Sequence, residues 1–394
     1  MDLPNVKFFS ICFLDSLALG LFLPILSTHI TTLGGNHTIL GILASLYAFV
    51  RLFSSSIIYS LSIRFGKKNA LMLSLLINYF IYFPFGTTSS YVTIIMLRLI
   101  IALSNQTQNV CNLILSDCTE KRDLIKLSSI LNFVSAIGLC IGPLIGGTVF
   151  DQINGFYCLS RLAGTFLFIS LIITMTLPPS EPKNKVQTDL FVTKVKKDMT
   201  EKFGKLTYKN LIKEWDLVVF KFLHSISAVV FFMKFSMMLK IHYQLSMPFI
   251  GCAYAYQGVL TFLAPFVNVF IQLNYNNIHV CMLVAFTLTL IGLCFAVTFH
   301  TYLLCFVPMI LMHTFLNVLW KKLCKQRSNK DYNIEGIDDA IGEVASITVP
   351  CVFGIFCDFY GLIALKTFVI LPILLNIIAS IIAFNHKKSN LKGE

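Results

Sequence analysis

Three ionisable side chains stand inside long apolar stretches of this chain: Asp15 within 8–30, Arg51 within 38–60 and Arg98 within 91–114. A charge among apolar residues of such length costs several kcal/mol unless it is paired or wet, so each marks candidate chemistry. For a carboxyl the chemistry is proton uptake and release. Burial favours the neutral acid and a nearby guanidinium favours the anion, so a change in their separation moves a proton. At 1.5 Å per helical residue, Asp15 and Arg51 each lie ~10 Å from the same side of the membrane, which permits a mutual ion pair. A static pair that fixes two helices is the competing reading. Lys221 and Glu343 lie roughly 9 Å into the stretches 215–238 and 336–357 by the same arithmetic, a candidate pair for an ionic ligand or for mutual neutralisation. His224 and His313 titrate in the right range to carry protons, and also suit a role as hydrogen-bonding spacers. Arg161 and Lys234, near span ends, are expected to snorkel to the interface.

These side chains need a scaffold that crosses lipid. Of 394 residues, 56% are hydrophobic and 13% charged, against about 25% charged in a soluble domain. A helix needs ~20 apolar residues to cross the hydrocarbon. Twelve stretches qualify: 8–30, 38–60, 69–86, 91–114, 127–150, 156–177, 215–238, 248–272, 279–299, 301–320, 336–357 and 361–384. The first is too long for a signal-peptide core and carries Asp15, so it reads as a retained span. The polar stretch 178–214 divides the spans six and six and reads as a linker. The expected architecture is an all-α membrane protein of 12 transmembrane helices in two six-helix pseudo-symmetric bundles, 1–177 and 215–394, joined by that linker.

Basic residues choose the orientation. With both termini in the cytoplasm, 24 of the 31 Lys and Arg fall in cytoplasmic segments and Lys240 alone falls outside. The net charge of +12 therefore sits in loops, which points to solvated connectors or to anionic lipid headgroups beside them rather than to nucleic acid. Asn36-His37-Thr38 is a glycosylation sequon on the expected external side, which makes Asn36 a candidate acceptor. Asn105-Gln106-Thr107 also fits the pattern but lies within a span.

From Gly138 the fifth stretch reads G-L-C-I-G-P-L-I-G-G. In lipid it must stay helical, because open backbone groups find no partner there. Gly138, Gly142, Gly146 and Gly147 then form a strip that lets another helix come close, and Pro143 allows a bend. The ten-residue pattern resembles the fifth-helix signature of antiporters of the major facilitator superfamily. The first span, L-D-S-L-A-L-G-L-F-L-P-I-L from Leu14, is similar to the first helix of tetracycline/proton antiporters at Asp15, Gly20 and Pro24. Arg98 matches the central Arg of the superfamily's fourth-helix motif, with Ala102 where a Gly should follow. The run from Arg98 to Tyr157 resembles the orphan animal subgroup called domain-containing protein 9 of that superfamily.

The resemblance implies a secondary transporter that moves a small organic solute by alternating access, with proton-coupled antiport through Asp15, Arg51 and Arg98. The cytoplasmic gating loop keeps Arg64, Gly66, Lys67 and Lys68, but Tyr59 replaces its leading Gly and Ile63 its Asp. That departure leaves open a transporter-shaped sensor or partner-binding protein, and an uncoupled uniporter. No G-x-x-x-x-G-K-[ST] phosphate loop is present, so nucleotide drive is not expected. The twelve Cys form no CxxC pair, and neither a metal site nor a disulfide framework is indicated. No nucleophile-base pair suggests an enzyme. The expected partners are a solute, protons and the bilayer, with no cofactor, and the chain is expected to act as a monomer.

Overall fold

A computed structural model describes residues 3–119, 121–178, 215–270, 275–327 and 335–390. The expected linker 178–214 lies outside them except for Pro178. Among these residues fourteen helices follow in order: α1 (Leu3–Phe22), α2 (Leu26–Thr32), α3 (His37–Phe65), α4 (Lys67–Phe85), α5 (Tyr91–Ser104), α6 (Thr107–Cys118), α7 (Lys121–Phe150), α8 (Gly155–Met175), α9 (Trp215–His242), α10 (Met247–Phe270), α11 (Tyr275–Phe295), α12 (Phe299–Arg327), α13 (Glu335–Tyr360) and α14 (Leu362–Asn390). Among the described residues, nine helical segments are long and apolar enough to cross a membrane.

Two expected spans are each made of two helices. The first breaks between α1 and α2, where Pro24 has no N–H to give the ladder and tight turns bond Leu23 N to Gly20 O and Ile25 N to Phe22 O, both at 3.2 Å. The fourth, expected to run unbroken over 91–114, stops at Ser104 and restarts at Thr107. Asn105 and Gln106 leave helical geometry there, at φ −81°, ψ 83° and φ −131°, ψ 26°. Asn and Gln side chains offer the backbone local alternatives to the helical ladder.

The helices gather into two compact units. One holds residues up to Gly35, Leu46 to the end of α8, and Ser236–Val259. In it α7 packs along α1. Gly138 faces Phe13 O and Ser16, Gly142 faces Gly20 and Leu17 O, and Gly146 faces Leu21 O. On its other side Gly147 meets Met247 O, and Gly251 of α10 meets Pro143 O. The Gly/Pro motif is thus a seam against two helices at once.

The loop that carries Arg64, Gly66, Lys67 and Lys68 belongs to the same unit. Lys67 Nζ pairs with Asp117 at 2.5 Å and donates to Leu113 O at 2.6 Å. Lys68 Nζ donates to Met175 O at 2.8 Å and to Leu177 O. Both lysines thus meet carbonyls near the C-terminal ends of α6 and α8, where a cation is favoured. Arg64 lies over the Phe65 ring at 5.4 Å. Gly66 turns the chain at φ 87°, ψ 148°, a region almost closed to other residues. Gly66→Ala should therefore cost about 1–3 kcal/mol, read as a lower thermal unfolding midpoint of the purified chain in detergent.

The other unit holds Asn36–Ser45, the stretch to Phe235 and Leu260 onward. Here Asp358 of α13 caps α3 from across the sequence. Its carboxylate accepts from His37 N and Thr38 N, both at 2.9 Å, and from the Thr38 hydroxyl. Lys234 Nζ lies 2.7 Å from His37 Nδ1. Lys234 is only 4% exposed, so the expected snorkelling gives way to burial against this cluster. Arg161, in the first unit, stacks on Phe83 at 3.4 Å.

Candidate functional site

Asp15 is 6% exposed on α1. The seam of α7 holds the turn of α1 that carries it, because Gly138 and Gly142 sit on Phe13, Ser16 and Leu17. The buried hydroxyl of Thr107, the first residue of α6, faces the carboxyl. Asp15, Arg51 and Arg98 line one cavity of about 360 Å³, with the whole stretch Asn105–Asn109 along it. Tyr47, Leu19 and Leu139 supply its apolar wall.

The three charges share the cavity without a mutual ion pair. Among the described residues the ion pair is Lys67–Asp117, so the expected contact of Asp15 with Arg51 is not made. Arg51 is exposed. Arg98 lies with its guanidinium over the Tyr47 ring at 5.1 Å, and its Nη1 is buried without a hydrogen-bond partner. A cation over an aromatic face keeps its charge while giving up water.

The second unit holds its own polar cluster. Lys221 Nζ donates to Asn317 Oδ1 at 3.2 Å and lies over Trp320 at 5.8 Å. Asn317 Nδ2 is 3.1 Å from His313 Nε2, and His313 stacks on His224 with centroids 4.9 Å apart. Glu343 of α13 makes no ion pair with Lys221 among the described residues. The sequence pairing of Lys221 with Glu343 is thus replaced by a Lys-Asn-His-His chain between α9 and α12. Among the described residues no group of three His, Cys, Asp or Glu is placed to hold a metal ion.

Charge inside apolar sequence singled out Asp15 and Arg98. It missed the polar wall Asn105–Asn109, which carries no charge. Five consecutive amide or hydroxyl residues within an apolar run are the signal that could have found it.

Residues 8–323 match the Major Facilitator Superfamily. The chain belongs to this family. Its fold makes α1–α2 one span and α5–α6 another, so the fourteen helices form the 12 spans of an all-α major facilitator protein. The chain is similar to the class H tetracycline resistance protein of Pasteurella multocida, 28% identical over 141 residues that cover 35% of each chain. It is 27% identical to an uncharacterized transporter of Buchnera aphidicola subsp. Schizaphis graminum (strain Sg), over 51% of this chain and 50% of that one. The matches thus span about a third to a half of these curated relatives. The solved nucleoside transporter NupG superposes with a TM-score of 0.76 over 98% of this chain and 99% of that one, at 15% identity. That likeness is one of major facilitator fold.

Proposed function

We infer that this major facilitator protein moves a small organic solute by alternating access in exchange for protons. Asp15 takes and gives up the coupling proton, and Arg51 and Arg98 balance its charge. The observation that carries this reading is a buried acid, held by no ion pair among the described residues, that opens onto a cavity shared with two arginines. Such an acid is free to change protonation without breaking a structural salt bridge. The local likeness to a tetracycline resistance protein, over 35% of this chain, supports a small organic cargo. The proposal keeps six-helix bundles at 1–177 and 215–394, a cytoplasmic linker at 178–214 and both termini in the cytoplasm. It places Asn36 outside, where it can carry a glycan.

Purified protein in proteoliposomes tests this directly: solute flux from a broad panel should rise with an imposed pH gradient and fall when the gradient is collapsed. A sensor or partner-binding protein would show no flux under either condition, and a uniporter would show equal flux in both. Orientation is tested by single-cysteine labelling. Cysteine at position 194 or 325 should react only from the cytoplasmic face and at position 36 only from outside, and labelling of 194 and 325 from opposite faces would break the six-plus-six layout.

A further inference from the structure

The break in the fourth span is satisfied on one side and open on the other. At membrane depth, backbone groups freed by a break must find partners in protein or in a wet cavity. The acceptors released at the end of α5 have found them. Leu103 O accepts the Ser54 hydroxyl of α3 at 2.6 Å. Ser104 O accepts the Ser74 hydroxyl of α4. Asn105 N is satisfied by Ile101 O at 2.9 Å.

The donors at the start of α6 have not. The first N–H groups of a helix have no partner within it. Gln106, at the cap position, makes no side-chain cap, because its Oε1 is taken by Asn109 Nδ2. Thr107 is fully buried on the cavity, and its hydroxyl is directed to the Asp15 carboxyl rather than to the α6 backbone. Arg98 adds a guanidinium Nη1 that is buried without a hydrogen-bond partner, on the same cavity. What remains there is an excess of donors, positive charge and the positive end of a helix, which together favour an anion.

These donors are also held still. Gln108 Nε2 donates to Asn132 Oδ1 of α7 at 2.6 Å, and the Ser128 hydroxyl of α7 donates to Asn112 Oδ1 of α6 at 2.8 Å. The open end of α6 is therefore fixed before anything binds, which lowers the ordering cost of binding. Asp15 stands at the Thr107 side of the same cavity. An ionised Asp15 attracts a cationic group, and a neutral one keeps only a hydrogen bond to it.

We propose that the open end of α6, with Arg98, is the subsite for an anionic group of the transported solute, and that Asp15 holds a cationic or hydrogen-bond-donating group of the same molecule. The solute class is a compact zwitterion or amphoteric organic acid. The coupling half of this statement rests on the antiport reading: protonating Asp15 removes the charge that grips the cationic end, so proton and solute occupy the cavity in turn. The anion subsite itself does not rest on it.

Three probes of one shape test the assignment on the purified full-length chain: para-aminomethylbenzoate, which carries both charges, para-methylbenzoate, which is only an anion, and para-aminomethylbenzamide, which is only a cation. Affinities are measured calorimetrically at neutral pH. The doubly charged probe should bind about tenfold more tightly than either of the others, the scale of one charge-assisted contact. Arg98→Met should bring it down to the level of the amide, Arg98→Lys should restore part of the loss, and Asp15→Asn should bring it down to the level of the plain anion. Equal binding of carboxylate and amide by the wild-type chain overturns the proposal, as does an Arg98→Met chain that keeps the preference, or no binding of any of the three. Should Arg98→Met fail to fold, the wild-type ranking decides alone. A chain that keeps this ranking but exchanges nothing for protons would unseat the antiport reading and leave the anion subsite standing. A chain that exchanges but ignores the carboxylate would do the reverse.

Discussion

Asp15→Asn is expected to abolish accumulation driven by a pH gradient. One pH unit is worth 1.36 kcal/mol per proton, so one-for-one antiport sustains about tenfold accumulation per unit and the variant should sustain none. The amide keeps the shape of the carboxyl and can still meet the Thr107 hydroxyl that faces it, but it cannot ionise. Equal-pH counterflow should persist at a comparable rate, because exchange of solute for solute moves no net proton. Measuring both fluxes on one preparation separates coupling from collapse of the fold. Full accumulation by Asp15→Asn would remove Asp15 as the coupling group. Loss of folding in both Asp15→Asn and Arg51→Ala would make the two residues structural.

Gly142→Leu is expected to be nearly as severe, for a mechanical reason. A Cβ at position 142 would lie 2.6 Å from Gly20 Cα and 2.9 Å from Leu17 O. These are backbone atoms of α1, which no rotamer change can move. Forcing extra volume into such a contact costs about 1–3 kcal/mol. The displaced segment of α1 is the one that positions Asp15, so transport should fall by more than the stability loss explains. A drop of an order of magnitude in flux, with correct membrane insertion, is the expected result. Gly164→Ala is the control, because a Cβ there meets only Tyr79 ring carbons at 3.9–4.0 Å, and it should leave flux and stability near wild type. Unchanged transport by Gly142→Leu would mean that α1 tolerates the shift and that the seam does not position Asp15.

The parts of this molecule that were legible in its sequence are those where hydropathy and charge disagree. Asp15 and Arg98 stand out because each interrupts an apolar run, whereas the cavity that joins them depends on helix rotation and is read only from the structure. The Gly138–Gly147 strip was legible because missing side chains leave only close packing as their use. The interruption of the fourth span was hidden, since Asn105 to Asn109 add no charge and the run on either side stays apolar. Hydropathy averages over such a break, whereas the backbone cannot. The Lys67–Asp117 pair was hidden for another reason. A lysine in an interhelical loop and an acid at a helix end have no sequence spacing that links them, and with Asp117 44% exposed the pair is worth no more than about 1 kcal/mol. It nevertheless gives the loop an acidic partner where Ile63 offers none. Lys221 was paired with Glu343 by depth alone, and depth leaves out rotation about the helix axis, which instead gives it Asn317.

The cap that Asp358 places on α3 has a consequence for how the chain is made. The two partners are 320 residues apart. While the ribosome is still adding the spans between them, the first N–H groups of α3 wait without their acceptor. Thr38, whose hydroxyl belongs both to that cap and to the sequon at Asn36, is unclaimed over the same interval. The second span is therefore finished late, although it is inserted early.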